Sequence, residues 1–331
     1  MSALAPWLQV QLQGLMTRPG HAFLLQGASG LGQYELGLAL AAAWLCHAPT
    51  SAGACGVCPS CHGIEVRAHA ELSVLMPETD MLALHWPLSE KAQKDIDDKK
   101  RKPSKEIRVE AMRDLLGFTQ TTGAGANGKV VLIYPAERMN TITANTLLKT
   151  LEEPAGRTRF ILASAAAHEL LPTVRSRCQV HPMQWPSTAE GLRWLVQQGL
   201  PEGEATVLLK AAGGRPDDAQ ALFQLGFQAK NWRALPKALQ RGDPGVLADN
   251  AAPLVLASLQ KVCHDLLHLA CGAAPRFFEA DDLPKPSSFM ALTQWSKDLL
   301  QSAKTVEHPY QAGLLMEAWV SRAQRAINAR A

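Results

Sequence analysis

Apolar residues fall along this chain in two rhythms. In the first half, short apolar runs at 21–26, 72–76, 129–134, 159–164 and 179–182 alternate with stretches of helical spacing. Short runs bounded by turn residues predict buried strands. Strands separated by helices over residues 1–183 predict an α/β domain with a parallel sheet. Within 144–151 the apolar residues Ala144, Leu147, Leu148 and Leu151 share one helical face, and Pro154 follows the end of that helix. Beyond residues 182–186 the strand signal fades. Residues 187–228 predict short helices broken at 198–201 and 213–216. Residues 229–331 predict longer amphipathic helices carrying Trp232, Trp295 and Trp319, with a long three-proline loop at 273–286. No internal repeat is evident. The expected domains are 1–185, 186–228 and 229–331.

A length of 331 residues accommodates two or three such domains, and 47% hydrophobic with 19% charged residues describes a globular chain with a sizeable core. The longest apolar run, 36–45, falls short of the ~20 residues a membrane span needs. Residues 1–13 lack the basic and apolar regions of a signal peptide, so a cytoplasmic location without membrane contact is expected. Net charge is +3, and its source is local. Residues 91–108 hold eight basic and four acidic side chains, leaving the rest of the chain at about −1. The 90–106 segment is expected to be a solvated, mobile insertion, with direct phosphate contact as the alternative. No global electrostatic footprint for nucleic acid is present.

Candidate chemistry begins at residues 27–34, Gly-Ala-Ser-Gly-Leu-Gly-Gln-Tyr. A phosphate-binding loop has the frame Gly-x-x-x-x-Gly-Lys-Ser/Thr between a strand and a helix. Gly27 and Gly32 keep the frame, with Gly30 between them. Gln33 stands where the lysine belongs, and Tyr34 stands where the magnesium-binding hydroxyl belongs. Backbone N–H groups at a helix start still form an anion site, able to hold a phosphate or sulfate without the lysine. Without the lysine and the hydroxyl, Mg²⁺-ATP hydrolysis is not expected.

Four of the seven cysteines, Cys46, Cys55, Cys58 and Cys61, follow the spacing C-x8-C-x2-C-x2-C. In a cytosolic chain this suggests a metal rather than disulfides. Four thiolates close a tetrahedral Zn²⁺ site with no open position, a structural site with one ion per chain. An iron–sulfur cluster is the rival, although the run C-x2-C-x2-C-x3-C-P fails because residue 65 is glutamate. His47 and His62 are alternative ligands. Cys178, Cys263 and Cys271 are expected to be buried small hydrophobes.

Two further motifs stand at 149–154, Lys-Thr-Leu-Glu-Glu-Pro, and at 171–178, Leu-Pro-Thr-Val-Arg-Ser-Arg-Cys. With the loop frame and the four cysteines in this order, the first domain closely resembles the bacterial DNA polymerase III clamp-loader subunits, gamma/tau and delta-prime, of the AAA+ class. The resemblance implies an AAA+ P-loop domain with a zinc module at 46–61, a helical lid at 186–228 and a helical collar at 229–331. An active member has a Walker B strand ending in Asp-Glu. Here strand 129–133 runs into Tyr134 and Pro135, and Glu137 is the nearest carboxylate, expected to face elsewhere. The sensor 1 pair is Ser164 and Ala165, and sensor 2 is Gly213-Gly214-Arg215-Pro216, with proline in the arginine's place.

A lost ATP site beside an intact Ser176-Arg177-Cys178 motif matches the delta-prime branch. The resemblance implies that Arg177 completes the ATP site of a neighbouring gamma/tau subunit in trans, as an arginine finger. Arg175 is expected to be merely solvated. It also implies gamma/tau and delta as partners in a heteropentamer, and the sliding clamp and primed DNA through that complex. The chain would be a component of the DNA-directed DNA polymerase III holoenzyme. A residual nucleotide hydrolase would need a replacement cation near 27–34, and none is present locally. A zinc-dependent nucleic-acid module would need basic and aromatic residues around 55–61, where Gly56, Val57, Pro59 and Ser60 stand instead.

Overall fold

The computed structural model describes residues 4–121, 125, 127–247, 250–285, 288–306 and 311–329. Residues 1–3 and Pro286 of the expected loop lie outside them. The chain divides into two compact units, Met1–Trp185 and Pro186–Ala331.

The first unit begins with α1 (Pro6–Met16), β1 (Ala22–Gln26), α2 (Gln33–Leu45), α3 (Pro59–Glu65), β2 (Leu72–Leu75), α4 (Glu78–Ala83), α5 (Glu90–Asp97) and α6 (Val109–Gln120). It continues with β3 (Lys129–Ile133), α7 (Thr141–Glu152), β4 (Thr158–Ser164), α8 (Pro172–Arg175) and β5 (Gln179–Pro182). Among the described residues the five strands form one parallel sheet in the order β2-β3-β4-β1-β5. All five expected strands are there. The central strands are buried along most of their length, including Phe23 to Leu25, Val130 to Ile133 and Phe160 to Ala163. That is why they read as continuous apolar runs rather than alternating ones.

The register sets the site. Gln26 is level with Ser164 and Pro182, and Ile133 is level with Leu162. Gly27, Tyr134 and Ala165 therefore leave the sheet at one edge, beyond the strands' carboxyl ends, where α/β sheets hold ligands. Helix α2 packs on β1, β3 and β4. A Cβ on Gly37 would meet Leu132 Cδ1 at 2.8 Å, so this glycine lets the helix lie close on the sheet. Helix α7 starts at Thr141, earlier than the apolar stripe suggested, because the Asn140 side chain caps it by accepting the Thr143 N–H at 2.9 Å.

The basic segment is mostly exposed, as expected of a solvated insertion, but it is tied to the domain at Glu78. Ser89 caps α5, and Arg101 forks onto the buried Glu78 carboxylate, with Nη2 donating to Oε1 at 2.8 Å and Nη1 to Oε2. Glu78 also accepts the Ser104 N–H at 2.8 Å and lies 3.5 Å from Arg108. Burial alone would raise this carboxyl, but the Arg101 hydrogen bond, the Ser104 amide and both guanidinium charges outweigh it and hold it below 4.5.

The second unit comprises α9 (Thr188–Gln197), α10 (Glu202–Ala211), α11 (Pro216–Gln224), α12 (Ala229–Arg241), α13 (Ala252–Ala270), α14 (Phe289–Ala303) and α15 (Ala312–Asn328). One apolar cluster runs through it from Leu195 to Ile327 and takes in Trp232, Trp295 and Trp319. Trp232 stacks on Phe278 with centroids 4.6 Å apart. The expected long loop after α13 is pinned by the fully buried Asp265, whose carboxylate accepts the N–H groups of Arg276, Phe277 and Phe278 at 2.9, 2.7 and 2.9 Å. Of the three remaining cysteines, Cys263 is buried and Cys178 half-buried, but Cys271 is exposed. Cys271 terminates α13, and its side chain belongs to the turn rather than to the core.

Candidate functional site

The loop at 27–34 is built tightly. Gly27 N–H donates to Ser164 O at 3.3 Å, joining the loop to the end of β4. A Cβ on Gly27 would lie 2.7 Å from Met183 Cβ. Gly32 has φ +82 and leaves no room either, with Leu8 Cδ1 2.5 Å from the Cβ position. Gly27 is thus required by packing and Gly32 by packing and its left-handed backbone, irrespective of any phosphate. Gln33 opens α2 and is buried. Its Nε2 donates to Gly27 O at 3.1 Å and to Ala28 O at 2.7 Å. The side chain in the lysine's position is turned onto the loop's own carbonyls.

The positions of the two metal-binding groups meet. The rings of Tyr34 and Tyr134 lie 5.5 Å apart, tilted by 38°. Trp86 Nε1 donates to the Tyr34 hydroxyl at 2.7 Å, and the Arg67 guanidinium sits over the Trp86 ring at 4.7 Å. Burial raises the Tyr34 phenol. It pushes Tyr134 up to about 12, with the charges of Glu35, Asp80 and Glu137 acting in the same direction. Both phenols are neutral at pH 7, whereas Mg²⁺ is held by carboxylate and phosphate oxygens. Glu137 accepts the Ala165 N–H at 3.0 Å, so it braces the end of β4. Ser164 is buried, and its Oγ accepts the Ala166 N–H at 3.2 Å. In the second unit Pro216 is the first residue of α11, and Arg215 before it pairs with Asp218.

The four cysteines come together. Their Sγ atoms all lie within 4.8 Å of one another, with separations of 3.8 Å (Cys46–Cys58), 3.8 Å (Cys46–Cys61), 3.9 Å (Cys55–Cys61) and 3.5 Å (Cys58–Cys61). A tetrahedron with Zn–S bonds of about 2.3 Å has an S–S edge of about 3.8 Å, so the donor set fits that ion. Cys46 closes α2, Cys58 caps α3 and Cys61 lies within α3. Backbone N–H groups of His47 and Cys61 hold the Cys58 thiol down at about 6, while burial pushes Cys61 up to about 12. His47 and His62 are exposed and stand outside the cluster.

A brace that the spacing did not reveal supports this module. Ser60 Oγ donates to Leu45 O at 2.8 Å and lies 2.7 Å from His69 Nε2. His69 Nδ1 accepts the Glu71 N–H at 3.1 Å, which assigns the ring proton to Nε2. His69 is therefore a donor to Ser60 and no base for it. Asn127 Nδ2 adds bonds to Leu45 O and Cys46 O at 3.2 and 2.9 Å.

Arg177 lies just beyond α8 and is engaged within the chain. Its Nε donates to Glu152 Oε1 at 2.7 Å, Nη2 donates to the same oxygen, and Nη1 donates to Thr173 O at 2.8 Å. The side chain retains 30% exposure. Ser176 Oγ donates to Thr173 O at 3.1 Å, burial raises the Cys178 thiol to about 12, and Arg175 is exposed. The Glu152 contact was not legible in the motif, because its partner belongs to a different motif 25 residues away.

The family described as DNA polymerase III, delta subunit, matches residues 7–186. The DNA polymerase III subunit delta' of Pseudomonas aeruginosa is 38% identical over 234 residues, 69% of this chain and 64% of that protein. The match thus spans just under two thirds of the Pseudomonas subunit. The delta' subunit of Yersinia pestis is 30% identical over 318 residues, 92% of this chain and 86% of that one. The tau subunit of Escherichia coli (strain K12) is 32% identical over 270 residues, 80% of this chain and 38% of its own length. No described helix is long and apolar enough to cross a membrane.

Proposed function

The chain belongs to the family of DNA polymerase III delta-prime subunits, and we propose that it serves as a clamp-loader subunit that hydrolyses no ATP of its own. The observation that carries this reading is the contact between Tyr34 and Tyr134, two aromatic rings where an active loop would place its metal-binding hydroxyl and carboxylate. Gln33 supports it by satisfying the loop's carbonyls from within. In this reading the first unit is an AAA+ domain whose nucleotide site has become packing. The cysteine cluster holds one structural Zn²⁺ that organises residues 46–61. Residues 186–228 serve as a lid, and 229–331 as the collar that joins neighbouring subunits.

The activity resides in the assembly with gamma/tau and delta, which opens the sliding clamp and places it on primed DNA. Arg177 is this chain's contribution to chemistry. A guanidinium is permanently charged, planar and able to make two parallel hydrogen bonds, which suits the charge that develops on a transferring phosphoryl group. A subunit that cannot hydrolyse nucleotide can still complete its neighbour's site in this way. Reconstitution is the test. Mixed with gamma/tau and delta, the chain is expected to enter a stable complex and to be required for clamp loading. A full loading rate without it would overturn the proposal.

A further inference from the structure

Arg177 is held by more than its backbone. The turn after α8 fixes the main chain, with the Arg177 N–H donating to Val174 O at 3.2 Å. The side chain is then oriented by Glu152, the last residue of α7, through Nε at 2.7 Å and through Nη2, and by Thr173 O through Nη1 at 2.8 Å. A guanidinium has five N–H donors. Three are used here, and each terminal nitrogen keeps one N–H with no acceptor among the described residues. Glu152 therefore grips one side of the group without exhausting it.

Glu152 is badly placed for its own helix. The C-terminus of a helix carries a partial negative charge, which disfavours a carboxylate there and favours a cation such as Lys149 in the same last turn. Nor is a pair with side chains 30% and 49% exposed a strong source of stability. An arginine with four rotatable side-chain bonds loses much of its use if it must be ordered at the moment of reaction. From these three observations we infer that Glu152 is a positioning residue for the trans arginine, holding the guanidinium with its two free N–H groups ready for a phosphate. This inference rests on the arginine-finger reading of Arg177.

The experiment uses reconstituted complexes in which the other ATP sites are disabled through their own P-loop lysines, so that turnover reports only the site this chain completes. Glu152→Ala is expected to lower the DNA-stimulated turnover number about 10-fold to 100-fold. KM for ATP and co-elution of the complex should stay as in the wild type. Glu152→Asp should recover part of the loss. The double variant Glu152→Ala/Arg177→Ala should be no slower than Arg177→Ala alone, because the carboxylate acts only through the arginine. Wild-type turnover in Glu152→Ala beside an impaired Arg177→Ala would overturn the inference while sparing the finger. Faster turnover in Glu152→Ala would overturn it by making the pair an inhibitory latch. Loss of assembly would make Glu152 an interface residue and overturn it as well. A silent Arg177→Ala would remove the finger reading itself, and this inference with it.

Discussion

The Tyr34 and Tyr134 rings lie 5.5 Å apart across the edge of the sheet, so the two positions from which a P-loop enzyme grips magnesium are filled by each other. Aromatic pairs at this spacing contribute about 0.5–1.5 kcal/mol beyond their buried area. The Trp86 hydrogen bond to Tyr34 anchors the arrangement further. Tyr34 is buried there and Tyr134 half-buried, and several expectations can be checked from this pair.

The isolated chain should show no ATPase activity above background, and Gln33→Lys should not restore any. The lysine would lack the metal and the water-orienting carboxylate, and it would remove two hydrogen bonds to Gly27 and Ala28. We expect Gln33→Lys to destabilise the chain by about 1–3 kcal/mol, measured by chemical denaturation. ATP turnover that survives purification and responds to changes at Gly32 would contradict this reading.

Elemental analysis should find about one zinc per chain. Cys58→Ser should release it and loosen residues 46–61, seen as faster amide exchange there, while the sheet stays protected. Iron with visible absorbance would reassign the cluster, and a metal-free protein of undiminished stability would reduce the cysteines to packing.

Arg177→Ala should leave the fold and assembly intact, because the partly exposed pair it breaks is worth only about 0–1 kcal/mol. At the one site this chain completes, loss of a trans arginine should slow hydrolysis by about 10³–10⁵, or roughly 4–7 kcal/mol of barrier. Arg177→Lys should rescue poorly, since an ammonium cannot reproduce the planar contact. Arg175→Ala is the control and should be silent.

Glu78 makes the docking of the basic segment acid-sensitive. Its carboxyl is held below the ordinary 4.5 in the folded chain. The stabilisation is therefore present above pH 4.5 and is lost as pH falls through the lowered folded value. Limited proteolysis within 98–106 should accelerate in that acid window in the wild type. Glu78→Gln should show the same susceptibility already at pH 7, with a loss of about 1–3 kcal/mol. Equal susceptibility of both proteins at pH 7 would remove Glu78 as the anchor.

Asp265→Asn should cost about 2–4 kcal/mol despite near-identical shape. The native carboxylate accepts three backbone N–H groups, and an amide would turn donors toward some of them. A thermal melt of the full chain reads this directly, and a shift indistinguishable from zero would show that the loop is held by other contacts.

The sequence by itself determined what depends on neighbours along the chain. Strand and helix periods, the glycine frame around 27–32, the absence of lysine at 33 and the cysteine spacing from 46 to 61 are all local patterns. They were enough for the five strands, the parallel α/β class and the cluster that the structure assembles. Tertiary structure decided everything that needed two distant segments in register. Tyr34 meets Tyr134 only because β1 and β3 both flank β4 and end at one edge of the sheet. Glu152 finds Arg177, Arg101 finds Glu78, and Asp265 finds the loop at 276–278 through contacts that join segments distant in the chain. Cys271 went the other way, an apolar residue left exposed by the turn that ends α13. Periodicity reports which face of an element is apolar, but not which polar partner the fold will bring to it. A partner's position depends on strand order and loop path, which no local pattern encodes.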